Sequence, residues 1–291
     1  MNVAIVGATG YGGIQAVNLL KNNKNYKITY LGGNKTSGTK WSDYFPYIDL
    51  ESDNLIEKIS IEGIAEKANI ALLCLPNGIS STLTRGLLEK RVKVIDLSAD
   101  YRYSSLEKWK SVYSNEAKIY KRDDDDLCKE AVYGLPEINK NEISKARLIA
   151  CPGCYPTSAL IPLIPLLSQG IIDNEGIVID SKSGTSGAGR EPNQKFLFSE
   201  CGDSISAYGL INHRHTSEIE QIASLISGNE IELLFTPHLI PMTRGIHSTI
   251  YGRLKDPGLT SSDCSVLLEN YYRNFSNIKV LPVNIYPSTK W

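Results

Sequence analysis

The 291 residues are 42% hydrophobic and 22% charged, with a formal net charge of -1. That balance supports a packed core, argues against general disorder, and offers no electrostatic field for nucleic acid or an anionic membrane. No apolar run approaches the length of a membrane span, the first residues do not read as a signal peptide, and six dispersed cysteines do not make a disulfide framework, so a reducing, cytoplasmic setting is expected.

The chain opens directly on a strand, 2–6, followed by Gly7-Ala8-Thr9-Gly10-Tyr11-Gly12-Gly13 and a helix over 11–21. Glycines between a first strand and a first helix let the backbone turn tightly, and the helix start offers N–H groups to a pyrophosphate. The spacing is G-x-x-G-x-x-G rather than the commoner G-x-G-x-x-G, so its weight comes from its position in a βαβ pattern. A second strand, 27–31, leads to Gly32-Gly33-Asn34-Lys35-Thr36-Ser37-Gly38. No acidic residue stands there to bind a ribose 2′-hydroxyl, whereas Lys35, Thr36 and Ser37 suit a 2′-phosphate, which favours NADP(H) over NAD. Strands at 69–75, 92–97 and 146–150 alternate with helices near 60–67 and 78–89, and their unbroken apolar runs suit a parallel sheet covered on both faces. The run Lys121-Arg122-Asp123-Asp124-Asp125-Asp126 reads as an exposed, solvated loop.

Near residue 150 the texture changes, and the domains are expected to be 1–150 and 151–291. Cys151-Pro152-Gly153-Cys154-Tyr155-Pro156 joins a strand to an apolar helix over 155–168. Pro156 suits a first helical turn, so Cys154 falls at the helix start, where the dipole and N–H groups stabilise a thiolate nucleophile. The C-x-x-C spacing also admits a redox pair or half of a zinc site, although the chain lacks a second pair to complete four zinc ligands, and no metal site is predicted. A strand at 176–182 precedes Ser183-Gly184-Thr185-Ser186-Gly187-Ala188-Gly189-Arg190, whose N–H groups, hydroxyls and guanidinium could wrap an anion. His213-Arg214-His215 precedes a helix over 216–227, capped by Thr216 or Ser217, and leaves His215 near its start as a proton shuttle. Strands at 231–236 and 245–254, a helix at 261–273 and a short strand near 278–282 complete an α+β unit with a mixed sheet.

With these motifs in place, and with Val94-to-Arg102, Val132-to-Glu137, Phe235-to-Met242 and Arg244-Gly245-Ile246 added in order, the chain resembles the N-acetyl-γ-glutamyl-phosphate reductase family from end to end. The resemblance implies an α/β fold: a Rossmann-like NADP-binding domain and a substrate and dimerisation domain, assembled as a homodimer or homotetramer. It implies NADPH-dependent reduction of an acyl phosphate to a semialdehyde through a Cys154 thioester, with His215 as acid/base. It places Gly7, Thr9, Gly10, Tyr11, Gly12, Gly13, Lys35, Ser37, Ser183 and Gly184 on the cofactor, and Arg102, Ser186, Arg190, His213 and Arg244 near the substrate. Three departures stand out: Cys151 and Asn77 occupy positions where the family usually has Asn and His, and the family's chains continue for a few dozen residues, returning a helix to the first domain. The competing readings are another enzyme of this mechanism, such as aspartate-semialdehyde dehydrogenase, and a non-catalytic NADP-binding protein.

Overall fold

The computed structural model describes residues 1–50, 55–113 and 122–290. They form two compact units, Met1–Pro152 and a second from Gly153 onward.

In the first unit seven strands are described: β1 (Asn2–Val6), β2 (Lys27–Gly32), β3 (Ile56–Glu57), β4 (Ile70–Leu73), β5 (Lys93–Asp96), β6 (Val132–Tyr133) and β7 (Leu148–Ala150). They pair in parallel in the order β3-β2-β1-β4-β5-β7-β6. The order reverses between β1 and β4, which is where doubly wound sheets open a crevice for nucleotides. Around the sheet run α1 (Tyr11–Leu20), α2 (Trp41–Tyr44), α3 (Ile61–Lys67), α4 (Ser81–Glu89), α5 (Leu106–Tyr113), α6 (Asp125–Glu130) and α7 (Pro136–Lys145). The continuous apolar strands have a direct explanation. Val3 and Ile5 of β1 enter one core with Val17 and Trp41, while Ala4 and Val6 enter another with Ile64, Leu87 and Trp109. Successive side chains point to opposite faces and both faces are covered, so each buried Val or Ile contributes roughly 1.5–3 kcal/mol.

The acidic run is not the exposed loop its composition suggests. Arg122 and Asp124 are buried, paired at 2.9 Å, while Lys121 lies outside the described residues. The Arg122 guanidinium stands 4.3 Å from the Trp109 ring centroid and 5.0 Å from that of Tyr101, and the Tyr101 hydroxyl donates to Asp124 at 2.7 Å. Distant aromatic residues thus shelter a charge pair that local composition assigns to solvent. Asp125 and Asp126 then open α6, where acidic side chains favour the positive end of the helix.

The second unit holds α8 (Cys154–Ser168), β8 (Ile177–Ser183), α9 (Phe198–Cys201), β9 (Ser206–Ala207), α10 (Arg214–Ser227), β10 (Leu233–Leu239), β11 (Ile246–Tyr251) and α11 (Ser261–Tyr272). Its sheet runs β11-β8-β10-β9; β8 and β10 are parallel and the outer pairings antiparallel, giving the mixed sheet expected. Pro162 and Pro165 lie inside α8. Proline at 165 removes the N–H that would reach the Ile161 carbonyl, and the Tyr272 hydroxyl of α11 donates to that oxygen instead. The expected strand near 278–282 does not form: Ile278 N–H turns back to the Phe275 carbonyl, and Pro282 lacks a ladder donor. Among the described residues no helix is long and apolar enough to cross a membrane.

Candidate active site

The glycine turn is built to let something approach its backbone. Gly7 has φ +82°, and a Cβ there would lie 2.3 Å from the Cys74 carbonyl oxygen; one on Gly13 would lie 2.4 Å from the Gly7 carbonyl oxygen. Neither position accepts a larger residue without moving main chain. Gly10 is the N-cap of α1 and gives no side-chain oxygen to the first N–H groups, while Tyr11 and Gly12 are exposed and Thr9 is half-buried. This cradle at the β1/β4 reversal fits a pyrophosphate. Lys35 and Ser37 are exposed just past β2, whereas Thr36 is buried under Gly33, so two of the three predicted 2′-phosphate donors face solvent.

On the neighbouring strand ends, Asp100 ties two loops together, accepting from Gly78 N–H at 2.6 Å and Ser81 N–H at 2.9 Å. Arg102 is buried, and its Nε donates to the Cys151 carbonyl at 2.8 Å and a terminal nitrogen to that of Leu97 at 3.1 Å. Through these bonds one side chain ties the Cys151 and Leu97 carbonyls together.

The thiol and histidines come together in the second unit. Cys154 is exposed and is the first residue of α8, behind Gly153, which sits at φ -63°, ψ 157° and supplies no side-chain cap. The His215 ring packs on that glycine so closely that a Cβ on Gly153 would stand 2.6 Å from Nε2. His215 is 5% exposed. Glu218, one turn further along α10, accepts the Gly153 N–H at 2.9 Å.

His213 has a different task. Helix α10 begins at Arg214, two residues earlier than predicted, because His213 is its cap in place of Thr216 or Ser217: its Nδ1 accepts the His215 N–H at 3.2 Å. Its ring is edge-on to those of Tyr155, Tyr208, Phe235 and His215. Burial, and then the Arg214 charge, push it down to about 4. A neutral capping imidazole is poorly suited to proton transfer near neutrality. The Tyr155 and Tyr208 hydroxyls meet at 2.7 Å, and burial raises both phenols, so they remain protonated. The H-x-H-x-x-E spacing carries a signal for Glu218, but only once the helix is known to include His215.

The loop after β8 departs from expectation. Gly184, Thr185 and Ser186 donate their N–H groups to the carbonyls of Gly245, Met242 and Thr243, each at 3.0 Å, and the Ser183 hydroxyl donates to the Gly184 carbonyl at 2.9 Å. A Cβ on Gly184 would lie 2.8 Å from Arg244 N. Three of the N–H groups expected to wrap an anion, those of Gly184, Thr185 and Ser186, instead close the loop onto the 242–245 segment. The same pairing brings Ser186 beside the 242–245 segment and its Arg244, while Arg190 is exposed beyond Gly189.

Among the described residues no three His, Cys, Asp or Glu side chains gather as metal ligands.

Residues 2–146 match the family described as semialdehyde dehydrogenase, NAD binding domain, and residues 154–291 match the semialdehyde dehydrogenase, dimerisation domain. Over all 291 residues the chain is 87% identical to the N-acetyl-gamma-glutamyl-phosphate reductase of Prochlorococcus marinus subsp. pastoris, and 84% identical to that of Prochlorococcus marinus strain MIT 9515; it spans 83% of each relative. Among solved structures, aspartate semialdehyde dehydrogenase II of Vibrio cholerae, complexed with ASA, superposes with TM-score 0.69 at 17% identity, covering 99% of this chain and 82% of that one. The Candida albicans aspartate semialdehyde dehydrogenase with NADP gives TM-score 0.64 at 17% identity, covering 93% and 76%. At such identities the structural likeness speaks for the fold.

Proposed function

The chain belongs to the N-acetyl-gamma-glutamyl-phosphate reductase family, and from that premise we propose that it uses NADPH to reduce N-acetyl-γ-glutamyl phosphate to N-acetylglutamate semialdehyde and phosphate, in arginine biosynthesis. One observation carries the reading: an exposed thiol at a helix start, next to a glycine on which a buried imidazole is packed.

In this scheme Cys154 Sγ attacks the acyl carbon; the bond to the phosphate oxygen breaks, phosphate leaves with the electron pair, and a thioester remains on Cys154. NADPH, when bound, supplies a hydride to the thioester carbonyl. His215 provides the proton for the resulting oxyanion and takes it back as the carbon–sulfur bond breaks, which frees the aldehyde and returns the thiolate. Ser186, Arg190 and Arg244 hold the anionic ends of the substrate. The glycine turn from Gly7 to Gly13 holds the pyrophosphate, and Lys35 with Ser37 selects the 2′-phosphate.

The enzyme is further proposed to act as a homodimer or homotetramer. The dimerisation-domain match supports this, as does the sheet face carrying Val178, Leu234 and Tyr251, of which the latter two are well exposed.

The test runs the reaction backwards with N-acetylglutamate semialdehyde, NADP and phosphate, following absorbance of the reduced nicotinamide. Phosphate-dependent reduction that is absent with aspartate semialdehyde and absent in Cys154→Ser is expected. Equal turnover of aspartate semialdehyde, or an active Cys154→Ser enzyme, overturns the proposal.

A further inference from the structure

Asp100 is a fully buried carboxylate that the scheme above does not use. Removing such a group from water is unfavourable unless it is well bonded, so its partners indicate its purpose. Its main chain and both carboxylate oxygens are engaged. The Asp100 N–H donates to the Ser98 hydroxyl at 3.2 Å, and its carbonyl accepts from Arg122 at 2.9 Å. Oδ1 accepts from Gly78 N–H at 2.6 Å and Oδ2 from Ser81 N–H at 2.9 Å. The Arg122 sheltered by Trp109 and Tyr101 thus fixes the main chain from which this carboxylate reaches.

The segment it holds begins against the glycine turn. A Cβ on Gly7 would meet the Cys74 carbonyl oxygen, and one on Gly12 would lie 3.8 Å from Cys74 Cβ and 3.7 Å from Leu97 Cδ2. The loops that follow β4 and β5 therefore start beside that turn, and they are clasped to each other where Ala99 N–H donates to Asn77 Oδ1 at 3.0 Å. A dinucleotide in such a sheet lies outside the ends of the strands at the reversal, here β1 and β4, which makes 77–81 a wall of its crevice. Helix α4 starts in this wall, and its N-cap, Ser80, gives no side-chain bond to the first turn. Asp100 reaches across from the next loop and takes the first N–H instead.

We propose that Asp100 is a positioning residue for the dinucleotide: by holding the Gly78 and Ser81 N–H groups it fixes the 77–81 segment as the wall beside the glycine turn. This rests on the cofactor reading given above, and it deepens that reading. What matters on this account is a pair of acceptors, not the charge. Asn at position 100 offers one oxygen and sets an amide NH2 against an N–H that can only donate. Asp96 provides the contrast. It is also fully buried, and it accepts from Ser98 N–H at 3.0 Å and from the Ser98 hydroxyl at 2.7 Å. A hydroxyl accepts as well as donates, so Asn at position 96 removes the same charge and keeps both bonds.

The test compares Asp100→Asn with Asp96→Asn by titrating NADPH and NADH, followed by nicotinamide fluorescence, and by steady-state kinetics. Asp100→Asn is expected to raise the Kd and KM of the dinucleotide about tenfold, because binding must then order the wall, while kcat stays within about threefold. A merely structural role would lower the folded fraction, and with it kcat, and leave KM in place. Asp96→Asn should stay within about threefold of the parent throughout. A parent-like Kd in Asp100→Asn, or an equal rise in Asp96→Asn, overturns the proposal. If Asp100→Asn does not fold, amide hydrogen exchange of the parent decides: the Gly78 and Ser81 N–H groups should be protected before any dinucleotide is added, and exchange at the rate of exposed amides overturns the proposal. Binding needs no acyl phosphate and is read with both dinucleotides, so another substrate or a preference for NADH would correct the reading above without altering this comparison.

Discussion

Adding one methyl group at Gly153 tests the site most directly. The backbone there, φ -63° and ψ 157°, is open to any residue, so alanine brings no main-chain strain. The obstacle is steric: the new Cβ would stand 2.6 Å from His215 Nε2, 2.9 Å from Cδ2 and 3.0 Å from Cε1. Ordinary contact begins near 3.4 Å, so the ring must retreat by roughly 0.8 Å, in a place where it is only 5% exposed and has neighbours behind it. Overpacking of this kind destabilises by about 1–3 kcal/mol, which leaves most of the protein folded. A displacement near 1 Å between thiol and imidazole is worth about a hundredfold in rate, or about 2.7 kcal/mol of activation free energy. Gly153→Ala should therefore remain folded by circular dichroism, yet lose about two orders of magnitude in kcat/KM in the phosphate-dependent assay. If the folded variant turns over at the parent rate, the packing of His215 on Gly153 is not part of catalysis and the acid/base assignment loses its geometric support.

Two further substitutions separate neighbouring roles. His213→Asn keeps a good helix cap and should hold kcat/KM within several-fold at pH 7, whereas His215→Asn should lose about 10²–10⁴-fold. Because His213 is pushed down to about 4 in the folded protein, against about 6.5 unfolded, its contribution to stability is present above pH 6.5 and lost as pH falls towards 4. Allowing for its partial exposure, that loss is on the order of 1–2 kcal/mol, and urea midpoints at pH 7 and 4.5 should show His213→Asn recovering it at the lower pH only. For the cofactor, Lys35→Glu should shift the NADPH-to-NADH ratio of kcat/KM by about tenfold to a hundredfold towards NADH, the worth of one charge-assisted contact; an unchanged ratio would mean that the 2′-phosphate is read elsewhere.

What was legible in the sequence was local. A glycine turn between an apolar strand and a helix, and a cysteine two residues before a proline that opens a helix, depend on neighbours within one turn, and both stand where their residues predict. What was hidden depends on distant partners. That His213 caps α10 follows from where the helix begins, and its surroundings from rings contributed by Tyr155, Tyr208 and Phe235. The N–H groups of Gly184, Thr185 and Ser186 looked like part of a nest of donors; the 242–245 segment, dozens of residues away, claims them. In the same way Arg122 and Asp124 read as solvated charges until Trp109 and Tyr101 close over them.

The C-x-x-C pair shows how far the fold can divide two identical side chains. Cys151 follows β7, where burial, and then the nearby Asp96, push its thiol up to about 12 despite the opposing Arg102. At pH 7.5 its thiolate fraction is on the order of 10⁻⁴ or less, so it is a poor nucleophile and a poor resolving thiol. Cys74 is likewise raised to about 12 and Cys128 to about 11, chiefly by burial. Cys154, three residues after Cys151, is exposed at the first position of α8. Limiting iodoacetamide at pH 7.5 should therefore label Cys154 ahead of Cys151, Cys74 and Cys128 by at least tenfold, read by peptide mass spectrometry. Cys151→Ser should keep kcat within about twofold in the presence or absence of dithiothreitol, because a protonated, buried thiol contributes neither a nucleophile nor a leaving group. A Cys151–Cys154 disulfide that accumulates in air and returns activity on reduction would refute this division and restore the redox reading of the pair.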